Sequence, residues 1–157
     1  MKIIVFSDSH GRKDVMWNIA EEERPDMIFH LGDYEPDSDL FLGVIPVVKV
    51  RGNCDYNSYE EAERFLDYGP TKILLTHGHL YAVKQGLMYL IQEGTAKGAT
   101  VILYGHTHRA YLDKAAGRVV MNPGTPDKSY GVLELKNGVL VDARLEETRA
   151  ELRLKYC

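Results

Sequence analysis

Residues 3–11, Ile3-Ile4-Val5-Phe6-Ser7-Asp8-Ser9-His10-Gly11, carry two signals in succession. The apolar run reads as a strand buried on both faces. The Gly-containing turn after it carries Asp8 and His10, side chains of the kind that hold metal ions. The layout recurs along the chain: Met27-Ile28-Phe29-His30-Leu31 leads to Gly32-Asp33, and Val47-Val48-Lys49-Val50 to Gly52-Asn53-Cys54-Asp55. Ile73-Leu74-Leu75 leads to His77-Gly78-His79, and Val101-Ile102-Leu103-Tyr104 to Gly105-His106-Thr107-His108. Strands that deliver Asp, His and Asn at their carboxyl ends are expected to build one polar site at one edge of a sheet, where α/β sheets keep their chemistry.

Outward from these runs, residues 13–23 read as a helix that Pro25 stops. Residues 34–39 form an acidic loop, with Asp39 a candidate cap for a short helix over 40–43. Residues 55–62 read as a polar loop, and 63–68 with 72–76 as a hairpin about Gly69-Pro70. Val83, Leu87, Leu90 and Ile91 predict a helix over 81–97. After His108 the pattern changes to short strands without helices: 109–114, 118–121, 130–135 and 139–145, the last two joined by a turn at Lys136-Asn137-Gly138. A βαβ-like first part and an antiparallel last third together imply two mixed β-sheets flanked by helices. Residues 146–157 are highly charged and read either as a short helix or as a loose tail.

The bulk numbers set the class. A chain of 157 residues is expected to be one domain spanning 1–157, with 45% hydrophobic and 27% charged residues as in ordinary globular proteins. The net charge of −4 offers no basic footprint for a long nucleic acid. No apolar run approaches the ~20 residues of a membrane span, and the strand that starts at residue 3 leaves no room for a signal peptide. Two cysteines, Cys54 and Cys157, make no disulfide framework, so a reducing cytoplasm is the expected location.

Asp8, His10, Asp33, Asn53, His77, His106 and His108 supply more donors than one tetrahedral ion uses. No thiolate cluster accompanies them. Two divalent ions sharing one carboxylate is the economical arrangement, and such a pair can clamp a phosphoryl group and generate a hydroxide nucleophile. No Ser or Cys nucleophile with a paired base is evident.

In this order and spacing, the motifs resemble those of the calcineurin-like metallophosphoesterases. Asn53-Cys54-Asp55 and Asn122-Pro123-Gly124-Thr125 resemble more narrowly the small bacterial and archaeal YfcE-type phosphodiesterase branch. The likeness runs from residue 3 to about residue 135. It implies a four-layer αββα sandwich. It also implies one ion on Asp8, His10, Asp33 and His108, and a second on Asp33, Asn53, His77 and His106, with Asp33 bridging. The activity implied is hydrolysis of a small phosphodiester by a metal-bridging hydroxide, with Asp33, Asn53, His77 and Cys54 at the reacting centre. Mn²⁺ suits the oxygen-rich set, and Zn²⁺, Fe²⁺ or Ni²⁺ could also occupy it. Relatives suggest a homodimer. Two other readings are a non-catalytic scaffold, since the retromer subunit of vesicle sorting resembles this fold, and a phosphomonoesterase.

Cys54 is the departure: most of the wider superfamily has His there, near the leaving group. A neutral thiol is a poorer proton donor to an alkoxide, which favours good leaving groups or diesters. His30 reads as a hydrogen-bonded core histidine. His79, Arg12 and Arg109 divide between solvated surface and substrate contact. Asp55 divides between a turn role and orienting a ligand His. Asn122-Pro123-Gly124 is expected to shape a turn under the site. Tyr34, Tyr56, Tyr59 and Tyr81 lie near site loops, with packing as the default role.

Overall fold

The opening apolar run forms β1 (Lys2–Phe6), fully buried from Ile3 onward. In the computed structural model, which describes residues 1–154, it leads to α1 (Lys13–Glu23), β2 (Met27–His30) and β3 (Val47–Lys49). α1 ends as expected: Arg24 turns left-handed, its N–H caps the Ala20 carbonyl, and Pro25 follows. The hairpin about Gly69-Pro70 is present as β4 (Glu63–Asp67) and β5 (Lys72–Thr76). Then come α2 (Met88–Ala96), β6 (Val101–Leu103), β7 (Tyr111–Asp113), β8 (Val119–Asn122), β9 (Ser129–Lys136), β10 (Val139–Glu147) and α3 (Ala150–Leu154).

The strands form two mixed five-stranded sheets, ordered β10-β9-β1-β2-β3 and β4-β5-β6-β8-β7. β1, β2 and β3 are parallel in the first, as are β5, β6 and β8 in the second; the outer pairings are antiparallel. The period of two along a strand separates the layers. Ile3, Val5 and Phe29 face Ile73, Leu75, Val101 and Leu103 in a core between the sheets. The alternate residues Ile4, Phe6 and Ile28 pack against Met16 and Ile19 of α1 and Leu152 of α3. Leu74, Ile102 and Val120 pack against Leu90 of α2. The result is the expected four-layer αββα sandwich. No helix of the described residues is long and apolar enough to cross a membrane.

Several expectations need correction. The five ligand-bearing runs belong to two sheets, three to the first and two to the second, so the polar site lies where two sheet edges meet. Residues 35–41 form a 3₁₀ helix with Asp39 inside it, so Asp39 caps nothing at 40–43. The helix expected over 81–97 begins at Met88. Ala82 sits left-handed at φ 51° and Gly86 at φ 132°, which splits the preceding stretch into 3₁₀ turns at His79–Tyr81 and Val83–Gln85. The last third is not wholly antiparallel, because β8 pairs in parallel with β6. The charged end divides: Glu146 and Glu147 finish β10, Ala150–Leu154 is helical, and Cys157 lies outside the described residues. The β9–β10 turn is as read, with Asn137 and Gly138 both at positive φ, as a type I′ turn demands.

Candidate metal centre

The turns after the parallel strands are tied to one another before any side chain is considered. The Asp8 N–H donates to the Gly32 carbonyl at 2.9 Å, joining the turns after β1 and β2. The Gly105 N–H donates to the His77 carbonyl at 2.9 Å, joining the turns after β6 and β5. Across the sheets, the His106 N–H donates to Asp8 Oδ2 at 3.0 Å. This approach leaves room only for glycine at 105, where a Cβ would lie 2.7 Å from Asp8 Oδ2. Five of the proposed ligand residues pay backbone strain to reach inward: Asp8, His10, Asp33, His106 and His108 all have φ between 45° and 71°. A left-handed non-glycine residue costs ~1 kcal/mol or more, and such residues gather at functional sites.

Asp8, His10, Asp33 and His108 each place a ligand atom within 4.8 Å of the others, a group that could hold a metal ion. His108 Nε2 is 3.2 Å from Asp8 Oδ1. The two oxygens of Asp33 face different imidazoles: Oδ2 is 3.9 Å from His10 Nε2, and Oδ1 is 3.4 Å from His77 Nε2. His77 is fully buried, and its ring meets that of His106 edge-on at 5.0 Å between centroids. Its Nδ1–H donates to the Leu31 carbonyl at 2.8 Å, which fixes the tautomer and leaves Nε2 a lone pair. That Nε2 also lies 3.8 Å from Asp8 Oδ1. His77 Nε2, Asp8 Oδ1 and His10 Nε2 are buried without a hydrogen-bond partner. Lone pairs turned toward one another in a buried space repel unless a cation lies between them, so the donor set fits divalent ions.

Residues 1–138 match the family model for the calcineurin-like phosphoesterase superfamily domain. The chain belongs to this superfamily. It is 35% identical over 146 residues to the probable metallophosphoesterase YsnB of Bacillus subtilis, covering 87% of this chain and 86% of that one. It is 27% identical over 172 residues to the phosphodiesterase YfcE of Escherichia coli, covering 85% and 88%. A conserved, predicted phosphoesterase from Streptococcus pneumoniae superposes with a TM-score of 0.66 at 28% identity, covering 93% and 97%. Vps29 from Entamoeba histolytica complexed with Zn²⁺ shares the fold, with a TM-score of 0.77 at 19% identity over 93% and 97%. Membership of a metallophosphoesterase superfamily implies divalent ions and a hydrolytic site.

Other residues singled out in the sequence lie around Asp33. Its carboxylate accepts the Cys54 backbone N–H at 2.9 Å. Burial favours its neutral form, but that hydrogen bond and the His77 and His10 rings prevail and hold its pKa below the ordinary value. Cys54 faces the same carboxylate; burial, Asp33, Asp55 and Asp8 all push its thiol up, so the sulfur is protonated at neutral pH. Asn53 is exposed, and its amide donates to the Cys54 sulfur at 3.6 Å. His79 is half-buried beside His77, with ring centroids 5.5 Å apart. Its pKa is lowered by burial and by His77, and that of His106 by burial, His77 and Lys84.

A set of supporting residues was only partly foreseen. Asp55 touches no histidine; its carboxylate accepts the N–H groups of Gly52, Asp33, Tyr34 and Glu35 and clamps the turns after β2 and β3 together. Asp37, read as part of an acidic loop, accepts from Ser9 Oγ and the Gly11 N–H, both at 2.7 Å, and holds the turn bearing Asp8 and His10. His30 is buried as expected. Its Nδ1 accepts the Gly32 N–H, so Nε2–H faces Ser9 Oγ at 2.9 Å, and burial pushes its pKa down to about 3. Asn122 shapes the turn below the site by donating to the Gly105 carbonyl and Thr107 Oγ1. Arg12 pairs with Asp127 at 3.4 Å. Tyr34 leans on His10, Tyr81 is buried, and Tyr56 and Tyr59 face solvent.

Proposed function

We propose that the protein is a dinuclear metal-dependent phosphodiesterase. The observation that carries this reading is the division of the Asp33 carboxylate between His10 on one side and His77 on the other, beside buried and unpartnered Asp8 Oδ1 and His77 Nε2. One ion would be held by Asp8, His10, Asp33 and His108, and the other by Asp33, Asn53, His77 and His106. When bound, a pair of divalent ions makes water a nucleophile near neutral pH and neutralises charge on the phosphoryl oxygens. Mn²⁺ suits the carboxylate and amide oxygens of the set.

The chain's own part is to present these donors ready for use. The Leu31 carbonyl turns His77 Nε2 inward, and burial keeps His77's neighbours His79 and His106 neutral. Ser7 Oγ–H and the His106 N–H occupy Asp8 Oδ2, which leaves Oδ1 to face His108 and His77. Asp33 is 3% exposed, so its charge acts in a poorly solvated place, where electrostatic effects are strong. At Cys54 the chain offers a neutral thiol where an imidazolium would serve as a proton donor. Diesters with good leaving groups need no such donor, and this favours diester over monoester substrates. Buried donors of both kinds, intact around Asp33, favour an enzyme over a scaffold. The relationship to YfcE, a phosphodiesterase, supports the same choice.

The test is a leaving-group series of aryl and alkyl phosphodiesters and monoesters, run with Mn²⁺ at fixed metal occupancy. Aryl diesters should be hydrolysed fastest. Cys54→Ala should keep most aryl diesterase activity, and Cys54→His should raise turnover of poor leaving groups, by ~10-fold at the low end of general-acid effects. A Cys54→Ala protein that retains its metals but has no activity would show the thiol to be essential and the mechanism wrong.

A further inference from the structure

Two cavities of opposite character flank the metal centre. One of about 300 Å³ opens beside Cys54, and its lining includes Glu35 and Asp55. The other, about 570 Å³, opens beyond the His106–His108 turn, between Lys84 and Arg109, and no carboxylate lines it. The chain has 23 Asp and Glu residues against 19 Lys and Arg, so a cavity lined by two cations and no carboxylate is against the overall balance. Of other cations near the site, Arg12 pairs with Asp127, Lys49 pairs with Glu35 and Asp39, and Arg51 donates to the Glu60 carbonyl. Among the described residues neither Lys84 nor Arg109 has an ion-pair partner.

The inner wall of the cavity is fixed. Tyr104 is buried, and Thr107 sits between His106 and His108. Thr107 Oγ1 accepts the Asn122 amide at 3.0 Å and the Arg109 N–H at 3.2 Å. Both of its lone pairs are thereby used, and its own O–H proton remains to be donated. A guanidinium fork, an ammonium and a free hydroxyl donor at one opening match the acceptor oxygens of a phosphate.

We propose that this cavity takes a second phosphate group of the substrate, on Lys84, Arg109 and the Thr107 hydroxyl. The substrate class is then a phosphodiester that also bears a terminal phosphate on the part reaching past His108. This rests on the phosphoesterase reading given above. The volume admits a phosphorylated sugar.

A matched pair of substrates tests it: the p-nitrophenyl ester of a nucleoside monophosphate, with and without a further phosphate on the ribose. Release of p-nitrophenol gives kcat/KM for each. The wild-type protein should prefer the phosphorylated member, and Lys84→Gln or Arg109→Gln should reduce that preference by ~10-fold each, as the loss of one charge-assisted contact implies. A parallel measurement needs no turnover: calorimetric binding of a nucleoside bisphosphate against the monophosphate to the Mn²⁺-loaded protein. A bisphosphate preference that depends on Lys84 and Arg109, in a protein that hydrolyses neither ester, would uphold the cavity and overturn the phosphoesterase reading. A wild-type protein without preference in rate or in binding would overturn the cavity assignment, as would variants that keep the wild-type ratio.

Discussion

Protonating His30 would put a charge where no water reaches and would break the hydrogen bond that Nδ1 accepts from Gly32. Its pKa is about 3 in the fold, against 6.5 for an ordinary histidine. The sign follows from linkage: the unfolded chain takes up the proton first, so the stabilisation is complete above pH ~6.5 and is lost as pH falls toward 3, at ~1.4 kcal/mol per unit. Urea unfolding of the metal-free protein and of His30→Gln, measured from pH 7 to pH 4.5 (a window of about two units), should show a stability difference that shrinks with acidification. A constant difference would mean that His30 is not held neutral. This residue was legible in the sequence as a core histidine, because it lies inside an apolar strand three positions before Asp33. Asp37 was not, and Asp55 was legible only as one of two alternatives, a turn role. Their partners in other loops, N–H groups and for Asp37 the Ser9 hydroxyl as well, leave no local trace, because a carboxylate that organises a turn has the same local sequence as one that faces water.

At the scale of elements, the strands were the most legible feature, since a buried run bounded by glycine turns leaves little choice of conformation. The helix expected over 81–97 failed because Val83 and Leu87 keep helical spacing while Ala82 and Gly86 take conformations that no helix contains. The pairing of β8 with β6 depends on which sheet receives the strand, which a two-residue period does not specify. The turns after β2 and β3 carry Asp33 and Asn53, and one side chain, Asp55, joins them through four N–H groups. Asp55→Ala leaves those donors without a charged acceptor, and a loss of ~2–4 kcal/mol is expected in chemical denaturation. Divalent-ion affinity should fall with it, by ~10-fold or more, as for other outer supports of metal ligands. An Asp55→Ala protein with wild-type stability and wild-type affinity would show that the turns hold their form without the clamp.

At the scale of the whole molecule, the sandwich exists to bring two sheet edges together. Of the candidate donors, Asp8, His10, Asp33 and Asn53 follow strands of the first sheet and His77, His106 and His108 follow strands of the second. The group that could hold one ion, Asp8, His10, Asp33 and His108, draws on both. The candidate donors and their order were legible in the sequence; that they came from two sheets was hidden, because five strands of similar composition can be divided between sheets in several ways. The shared carboxylate is the point on which the account depends. The most direct measurement is therefore metal content per chain, by mass spectrometry of the elements, in the wild-type protein and in Asp33→Asn, with diesterase activity measured on the same samples. The account predicts two divalent ions in the wild type, loss of activity on chelation with recovery on adding Mn²⁺, and in Asp33→Asn at most one ion with a rate loss on the order of 10³. Full hydrolytic activity in metal-free protein, or two ions and undiminished activity in Asp33→Asn, would contradict it.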